Sequence, residues 1–197
     1  MKIFANHAHV FQKEAREDGT IDRLKQLMET VGIESAVCFA PFSHHFIDDG
    51  TNQNAWLANQ IKNDTSLVGF GTIDFLKGNL KDQVDEIHQL GLLGIKVHPA
   101  AQKIRVTDER AFEVYSRAEE LGLVISFHTG VHWHRISDYN VLLFDEVAYN
   151  FKKLKFTMEH VGGYSFFKEA VAVLTNNGAI VGGQVYAGLT SVTDRDI

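Results

Sequence analysis

Short apolar runs alternate along the chain with longer segments in which apolar residues recur every three or four positions. Runs of about four to eight residues predict strands, and the periodic segments predict helices. The predicted strands are 3–9, 35–40, 67–73, 94–98, 123–128, 154–160 and 178–185. The predicted helices are 21–31, 54–63, 80–90, 108–121, 141–151 and 166–175. We expect Thr20 to cap the first helix and Gly32 to end it.

For most of the chain the predicted strands begin about 27 to 32 residues apart, which is the length of a βαβ unit. Their apolar runs are continuous, as in parallel strands that are buried on both faces. A doubly wound open sheet and a (β/α)8 barrel both fit this order. The open sheet usually binds a phosphate at a glycine-rich first turn, whereas histidines end the first strand here. Because a barrel gathers its chemistry where its strands end, we predict an α/β fold of the (β/α)8 TIM-barrel type, with seven β/α units visible.

The composition is that of one globular domain over residues 1–197. Hydrophobic residues make up 45% and charged residues 22%, and the formal net charge is −6. The basic residues are scattered and no apolar run approaches the roughly 18 residues of a membrane span, so neither a nucleic-acid nor a membrane partner is expected. The single cysteine, Cys38, excludes an internal disulfide and fits a buried position in a cytoplasmic protein.

Ten histidines are the one unusual feature of the composition. Four predicted strands end in histidine: His7 and His9 on the first, His98 after Lys96 on the fourth, His128 on the fifth and His160 on the sixth. Residues i and i+2 of a strand face the same side, which places His7 beside His9 and aligns His160 with Met158. A single histidine at the end of a strand is more often a hydrogen-bonded packing residue than a metal ligand. Four such strands at one barrel mouth predict a divalent metal site.

Four motifs together resemble the amidohydrolase superfamily, in the branch of amidohydrolase-related proteins that includes aminocarboxymuconate-semialdehyde decarboxylase. They are His7-Ala8-His9, Gly94-Ile95-Lys96-Val97-His98-Pro99, His128-Thr129-Gly130 and Glu159-His160-Val161-Gly162-Gly163. The motifs stand in the right order on the right strands, and the resemblance covers nearly the whole chain.

This resemblance implies a distorted TIM barrel that binds one or two divalent ions. By position, His7, His9 and His128 would be ligands. His160 would be the acid/base beside a single ion or a ligand of a second one. One ion is favoured, with zinc as the first choice and manganese, iron or a second ion as alternatives. Lys96 would bridge two ions if carboxylated, or otherwise face a core carboxylate or a substrate anion. His98 would contact the substrate, or would support a metal ligand from outside.

One departure concerns an eighth strand, which the family ends in an Asp that binds the metal. The sequence stops at Asp194-Arg195-Asp196-Ile197, and we interpret Asp194 and Asp196 as a polar turn before that strand. We therefore expect a longer natural chain. If the chain ends here, a second subunit would have to cover the open edge, as in a homodimer, or the site would be impaired.

The predicted function is a metal-dependent hydrolase that acts on a small, anionic substrate. Non-oxidative decarboxylation of an aromatic or unsaturated carboxylic acid at the same site is the alternative, and a non-catalytic metal- or ligand-binding barrel is the third. Arg135 is a further candidate for an anion contact, and His88 is expected to be solvated. The weaker candidates for substrate contact are His44, His45, Asp74, His132, Trp133, His134, Gln184 and Tyr186. The alternative role of Asp74 is to cap the helix that follows its strand.

Overall fold

The computed structural model describes residues 2–48 and 50–192, so that Asp194 and Asp196 lie outside the described residues. Strands and helices alternate along the chain. The strands are β1 (Phe4–His9), β2 (Ser35–Phe39), β3 (Leu67–Thr72), β4 (Gly94–Val97), β5 (Val124–His128), β6 (Phe156–Glu159) and β7 (Val185–Gly188). The α-helices are α1 (Ile21–Val31), α2 (Gln53–Ile61), α3 (Leu80–Gln89), α4 (Glu109–Leu121), α5 (Leu143–Asn150) and α6 (Phe167–Asn177).

The chain divides into two compact units. The first consists of Met1–Asp74 and Asp85–Lys96, and the second of Phe75–Val84 and Val97–Ile197. The prediction of a single domain over 1–197 stays a prediction. None of the helices in the described part of the chain has the length and apolar character needed to cross a membrane.

In the first unit, β1 pairs with β2, β2 with β3 and β3 with β4, all in parallel. The continuous apolar runs of β2 and β3 are buried, as their composition predicts. Cys38 lies in this core, and burial raises the pKa of its thiol to about 12, so the side chain behaves as a small apolar residue. The prediction of a buried Cys38 agrees with this position.

Helix α1 begins and ends where the sequence predicts. The Thr20 hydroxyl accepts a hydrogen bond from the backbone N–H of Arg23 at 3.2 Å, which satisfies one of the unpaired N–H groups of the first turn. Gly32 follows the last turn with a φ of 74°, the left-handed conformation that glycine adopts at little cost.

In the second unit, β5 pairs with β6 and β6 with β7, again in parallel. The register places His128 beside Glu159, and Glu159 beside Gly188, at the C-terminal edge of these strands. Aromatic side chains from β5, β6, α4 and α5 pack behind them, with Phe127 and Phe156 fully buried and 5.4 Å apart between ring centroids. This core holds the strand ends in place.

The predicted seventh strand, 178–185, is wrong: β7 spans Val185–Gly188. Residues Ala179–Val181 form a short 3-10 turn in which Ile180 is fully exposed. The turn closes through a hydrogen bond of 3.0 Å from the Gly183 N–H to the Gly178 carbonyl. Glycines at both ends of an apolar triplet favoured this turn over a strand, and the apolar run alone did not reveal it.

Candidate active site

The two histidines of β1 lie together in the first unit. The ring centroids of His7 and His9 are 5.1 Å apart. Both rings pack edge-on against Phe39, at centroid distances of 4.8 and 5.1 Å. β1 carries one extra residue relative to β2 between Ala5 and Ala8, and such bulges re-aim side chains next to functional sites. The structure thus places His7 beside His9, as the i, i+2 spacing predicts.

Lys96 belongs to the same cluster. It is fully buried on β4, and its Nζ lies 4.8 Å from the centroid of the Phe39 ring. An ammonium group over an aromatic face is stabilised by the ring quadrupole. Phe39 therefore contacts the buried Lys96 and two imidazoles, those of His7 and His9.

His160 lies in a strained turn of the second unit. The predicted strand through His160, with His160 aligned with Met158, is wrong, because β6 ends at Glu159. His160 and Val161 both have left-handed backbones, with φ of 66° and 47°. Such a conformation is costly for a β-branched residue such as Val161 and is concentrated at functional sites. The turn brings the His160 ring to 4.5 Å from that of His128, measured between centroids.

A backbone carbonyl determines which nitrogen of His160 carries the proton. The His160 Nδ1 lies 2.7 Å from the Thr190 carbonyl oxygen. A carbonyl can only accept, so in the neutral imidazole Nδ1 donates and Nε2 is the nitrogen that accepts. His160 is therefore prepared to accept a proton or to bind a cation through Nε2.

Thr129 joins the two turns that follow β5 and β6. It is buried, and its hydroxyl donates to the Glu159 carbonyl at 2.6 Å and accepts from the Gly162 N–H at 3.1 Å. A Cβ added at Gly130 would lie 2.8 Å from the Cβ of His160, closer than real Cβ atoms approach. The sequence His128-Thr129-Gly130 thus provides a ligand candidate, a hydroxyl that joins the turns, and the space that His160 occupies.

His98 follows the end of β4 and lies in the second unit. Its Nδ1 accepts a hydrogen bond from the Ala101 N–H at 3.3 Å, so the neutral ring carries its proton on Nε2. The buried ring stacks on His128 at 3.8 Å between centroids, with only 9° between the planes. His98 is therefore suited to donate a hydrogen bond to a substrate oxygen.

A second histidine arrangement involves the loop after β5. One ring nitrogen from each of His98, His128 and His132 can be chosen so that the three lie within 4.8 Å of one another. The lone pairs of ring nitrogens lie in the planes of the rings, and the His98 and His128 planes are nearly parallel. One of these two rings would therefore have to rotate before both could bind the same ion. The cluster contains His128, but only after a rearrangement would it bind a metal.

Sequence reasoning missed Glu159. Its side chain is fully buried, and Oε1 accepts hydrogen bonds from Thr157 at 2.6 Å and Ser126 at 3.3 Å. Because paired residues of a parallel ladder face the same side, Glu159 shares the face of its partner His128. The alternation of Thr157 and Glu159 within an otherwise apolar strand was the signal that could have identified it.

The weaker candidates lie mostly at the surface. His44, His45, His88, His134 and Arg135 are exposed, as is Trp133, and Tyr186 lies within β7 rather than at its end. The Asp74 carboxylate accepts a hydrogen bond from the Ser43 hydroxyl at 2.9 Å. The alternative role of Asp74 as the cap of α3 is wrong, because the Asn79 side chain accepts from the Lys81 N–H at 3.0 Å.

A cavity of about 490 Å³ opens beside His128 in the second unit. Thr129 and Tyr139 line it together with Lys103 and Arg105 from the loop between β4 and α4. The Tyr139 hydroxyl donates to the His132 carbonyl at 2.8 Å and accepts from the His132 N–H at 3.0 Å, which holds that loop against the cavity. Sequence reasoning did not single out Lys103 or Arg105, since no motif contains them.

The histidines fit a divalent metal by their chemistry. Imidazole nitrogen is a common ligand of zinc and other borderline ions. His7 with His9 in one unit, and His128 with His160 in the other, each form a close pair of rings, and a backbone carbonyl holds the Nδ1 of His160. Such an outer hydrogen bond is what metal-binding histidines usually have.

Comparisons with solved structures show the fold. An uncharacterized TIM-barrel protein from Bordetella bronchiseptica matches with a TM-score of 0.76 and 19% identity, over 96% of this chain and 75% of that chain. A probable 2-pyrone-4,6-dicarboxylic acid hydrolase from Acinetobacter baumannii, with citric acid bound, matches with a TM-score of 0.68 and 12% identity, over 100% and 74%. Dihydroorotase from Campylobacter jejuni matches with a TM-score of 0.58 and 16% identity, over 94% and 53%. The fold is therefore that of a TIM barrel, with seven β/α units in the described residues, as predicted.

No curated protein matches the sequence. The sequence model of the amidohydrolase family, by contrast, matches residues 7–178, from the first histidine of β1 to the glycine that follows α6. That range contains all four motifs that carry the resemblance. The chain belongs to the amidohydrolase family.

Proposed function

We propose that this protein is a metal-dependent hydrolase of the amidohydrolase type, which adds water to a carbonyl-type carbon of a small molecule. The observation that carries the proposal is the pairing of His128 with His160, whose Nδ1 is bound to the Thr190 carbonyl so that Nε2 is the accepting nitrogen of the neutral ring. A histidine held in this way can take a proton from water and return it to a leaving group.

In this proposal His7, His9 and His128 hold one divalent ion, with zinc as the first choice. When bound, the ion would lower the pKa of water and polarise a carbonyl. His160 is the acid/base, or a ligand if a second ion binds. His98 donates from Nε2 to a substrate oxygen, because its Nδ1 is occupied by the Ala101 N–H.

Lys96 contributes positive charge. Its buried ammonium lies over Phe39, which also packs against His7 and His9. A buried cation attracts negative charge strongly because solvent screens it little. We therefore assign Lys96 to the substrate anion, with a bridging role as a carboxylated lysine if two ions bind.

Metal analysis of three forms of the protein tests the ligand assignment. The parent should contain about one equivalent of a divalent metal after purification without chelator, and His7→Ala/His9→Ala should lose it. His44→Ala/His45→Ala is the matched control, because it removes two adjacent histidines of the same unit that are exposed. Two equivalents would move Lys96 to the bridging role. No metal in the parent after incubation with zinc would contradict the proposal.

Turnover of a panel of esters, lactones, amides and carboxylic acids separates the possible reactions. His160→Asn should keep the ion and lose roughly 10²- to 10⁴-fold in rate, the usual contribution of an acid/base. Release of CO2 without uptake of water would assign the decarboxylase alternative. Metal binding without turnover of any compound would favour the non-catalytic alternative.

A further inference from the structure

Three histidines of the second unit form a cluster that differs from the ligand set His7, His9 and His128. The cluster consists of His98 after β4, His128 at the end of β5 and His132 in the loop after β5. One ring nitrogen from each lies within 4.8 Å of the other two, and no other group of three or more histidine, cysteine, aspartate or glutamate side chains does so in the described part of the chain. Only His128 is common to the two sets.

Backbone contacts hold His132 beside the ends of the strands. On one side, the Val131 N–H donates to the Gly163 carbonyl at 3.1 Å. On the other side, the Tyr139 hydroxyl donates to the His132 carbonyl at 2.8 Å and accepts from the His132 N–H at 3.0 Å. The His132 ring lies 6.0 Å from that of His128 between centroids, and its side chain is exposed. An ion from solvent therefore meets the exposed His132 before the buried His128.

One ring of the cluster has to rotate before an ion can be shared. The planes of His98 and His128 are 9° apart with 3.8 Å between centroids, so one ion cannot lie in both planes. We assign the rotation to His98, because the hydrogen bond from the Ala101 N–H to its Nδ1 is 3.3 Å long, which is longer than most bonds of this kind. Ala101 is half-buried, so water can replace the ring as the acceptor of its N–H.

We propose that His98, His128 and His132 form a second divalent-metal site, and that rotation of His98 completes its ligand set. Three imidazoles with a fourth position open to water are a ligand set that zinc accepts. Imidazole also suits copper, iron and nickel, whereas calcium and magnesium prefer oxygen ligands. The ligand of the cluster is therefore a borderline divalent ion such as zinc.

The shared His128 links this site to the other ligand set. An ion bound through His98 and His132 withdraws His128 from His7 and His9. Because only molecules with a rotated His98 are competent to bind, the apparent affinity of the cluster is reduced, and the site fills when zinc is in excess. Excess zinc then lowers metal-dependent turnover. This consequence rests on the proposed function, whereas the site itself does not.

Calorimetric titration of His7→Ala/His9→Ala with zinc tests the site, because that variant lacks the other two ligands and the measurement needs no turnover. It should bind about one equivalent of added zinc. Introducing His132→Gln into this variant should raise the Kd of zinc about tenfold or more, since an amide replaces one of three imidazole ligands. His134→Gln is the matched control, because it removes an exposed histidine of the same loop that lies outside the cluster. It should change the Kd less than about twofold.

The Ala101 amide reports the rotation of His98 in the parent protein. In an NMR titration with excess zinc, its signal should shift together with those of the His98 and His132 ring nitrogens, because the hydrogen bond from Ala101 to His98 is lost. An Ala101 signal that does not move would overturn the rotation.

Two results of the calorimetry would overturn the site: no binding of added zinc to His7→Ala/His9→Ala, or equal losses with His132→Gln and His134→Gln. Zinc bound through His132 in a protein that turns over none of the test compounds would leave the site standing and refute the proposed function. An ion in the purified parent that depends on His7 and His9, with no binding through His132, would do the reverse.

Discussion

Thr129 is a side chain that directly joins the turns after β5 and β6 through two hydrogen bonds. Valine has the same shape but no hydroxyl, so Thr129→Val removes both hydrogen bonds without leaving a cavity. The Glu159 carbonyl keeps a second donor, since the Thr129 N–H lies 3.2 Å from it. The Gly162 N–H, which lies in a buried residue, loses the acceptor that it has in the hydroxyl.

The expected cost follows from these two losses. An orphaned buried N–H costs about 1 to 3 kcal/mol, and the bond to the carbonyl contributes about 1 kcal/mol. Thr129→Val should therefore lower the free energy of unfolding by about 2 to 4 kcal/mol. Thr129→Ser keeps the hydroxyl and loses one buried methyl group, which costs about 1 kcal/mol.

Denaturant unfolding at neutral pH measures both variants beside the parent. The NMR chemical shifts of the His160 ring nitrogens then report whether the tautomer of His160 has changed. A loss of stability elsewhere in the protein would not alter these shifts. We expect mixed tautomers in Thr129→Val and the Nδ1–H form in Thr129→Ser. If Thr129→Val lowers the free energy of unfolding no more than Thr129→Ser does, and the His160 signals are the same in both variants, Thr129 does not hold the turns together.

Two further predictions concern the same turn and the acid stability of the first unit. Gly130→Ala should displace His160 and lower the free energy of unfolding by about 1 to 3 kcal/mol through overpacking, because the new Cβ would lie 2.8 Å from the His160 Cβ. Stability and His160 chemical shifts like those of the parent would contradict this. Hydrogen bonds from Lys25 and Ser66 lower the pKa of Asp64 to about 2. The unfolded chain therefore binds more protons, so this stabilisation is present above pH 4 and is lost as the pH falls toward 2. Asp64→Asn should flatten the fall of the urea midpoint between pH 5 and pH 2, and an unchanged slope would refute the assignment.

Periodicity predicted the fold well where burial and local signals agreed. Helix α1 has its predicted bounds because Thr20, an apolar stripe and Gly32 all indicate the same segment. β7 was misplaced because its apolar residues are few and Gly178, Gly182 and Gly183 determine the backbone nearby. An apolar triplet between glycines is a case in which turn chemistry overrides hydrophobicity.

The site could be predicted as a set of histidines but not as a geometry. The spacing of His7 and His9 is a property of one strand, so it can be derived from the sequence. The place of His160 cannot, because it depends on a left-handed turn, on the Thr190 carbonyl 30 residues later and on space left by Gly130. These are long-range constraints that no local pattern contains.

Strict alternation along β6 would have placed His160 on the face opposite to Glu159. Because Glu159 shares the face of His128, the His160 side chain would then have pointed away from His128. The chain instead places Glu159 in the buried interior, where Thr157 and Ser126 hydrogen-bond to it, and turns back so that the next side chain reaches the same histidine. Two consecutive residues, Glu159 and His160, thus provide a buried carboxylate and an imidazole that both neighbour His128. The strained backbone of His160 and Val161 is the cost of this arrangement, and the hydrogen bonds of Thr129 offset it, which is why the turn should lose its geometry when that single hydroxyl is removed.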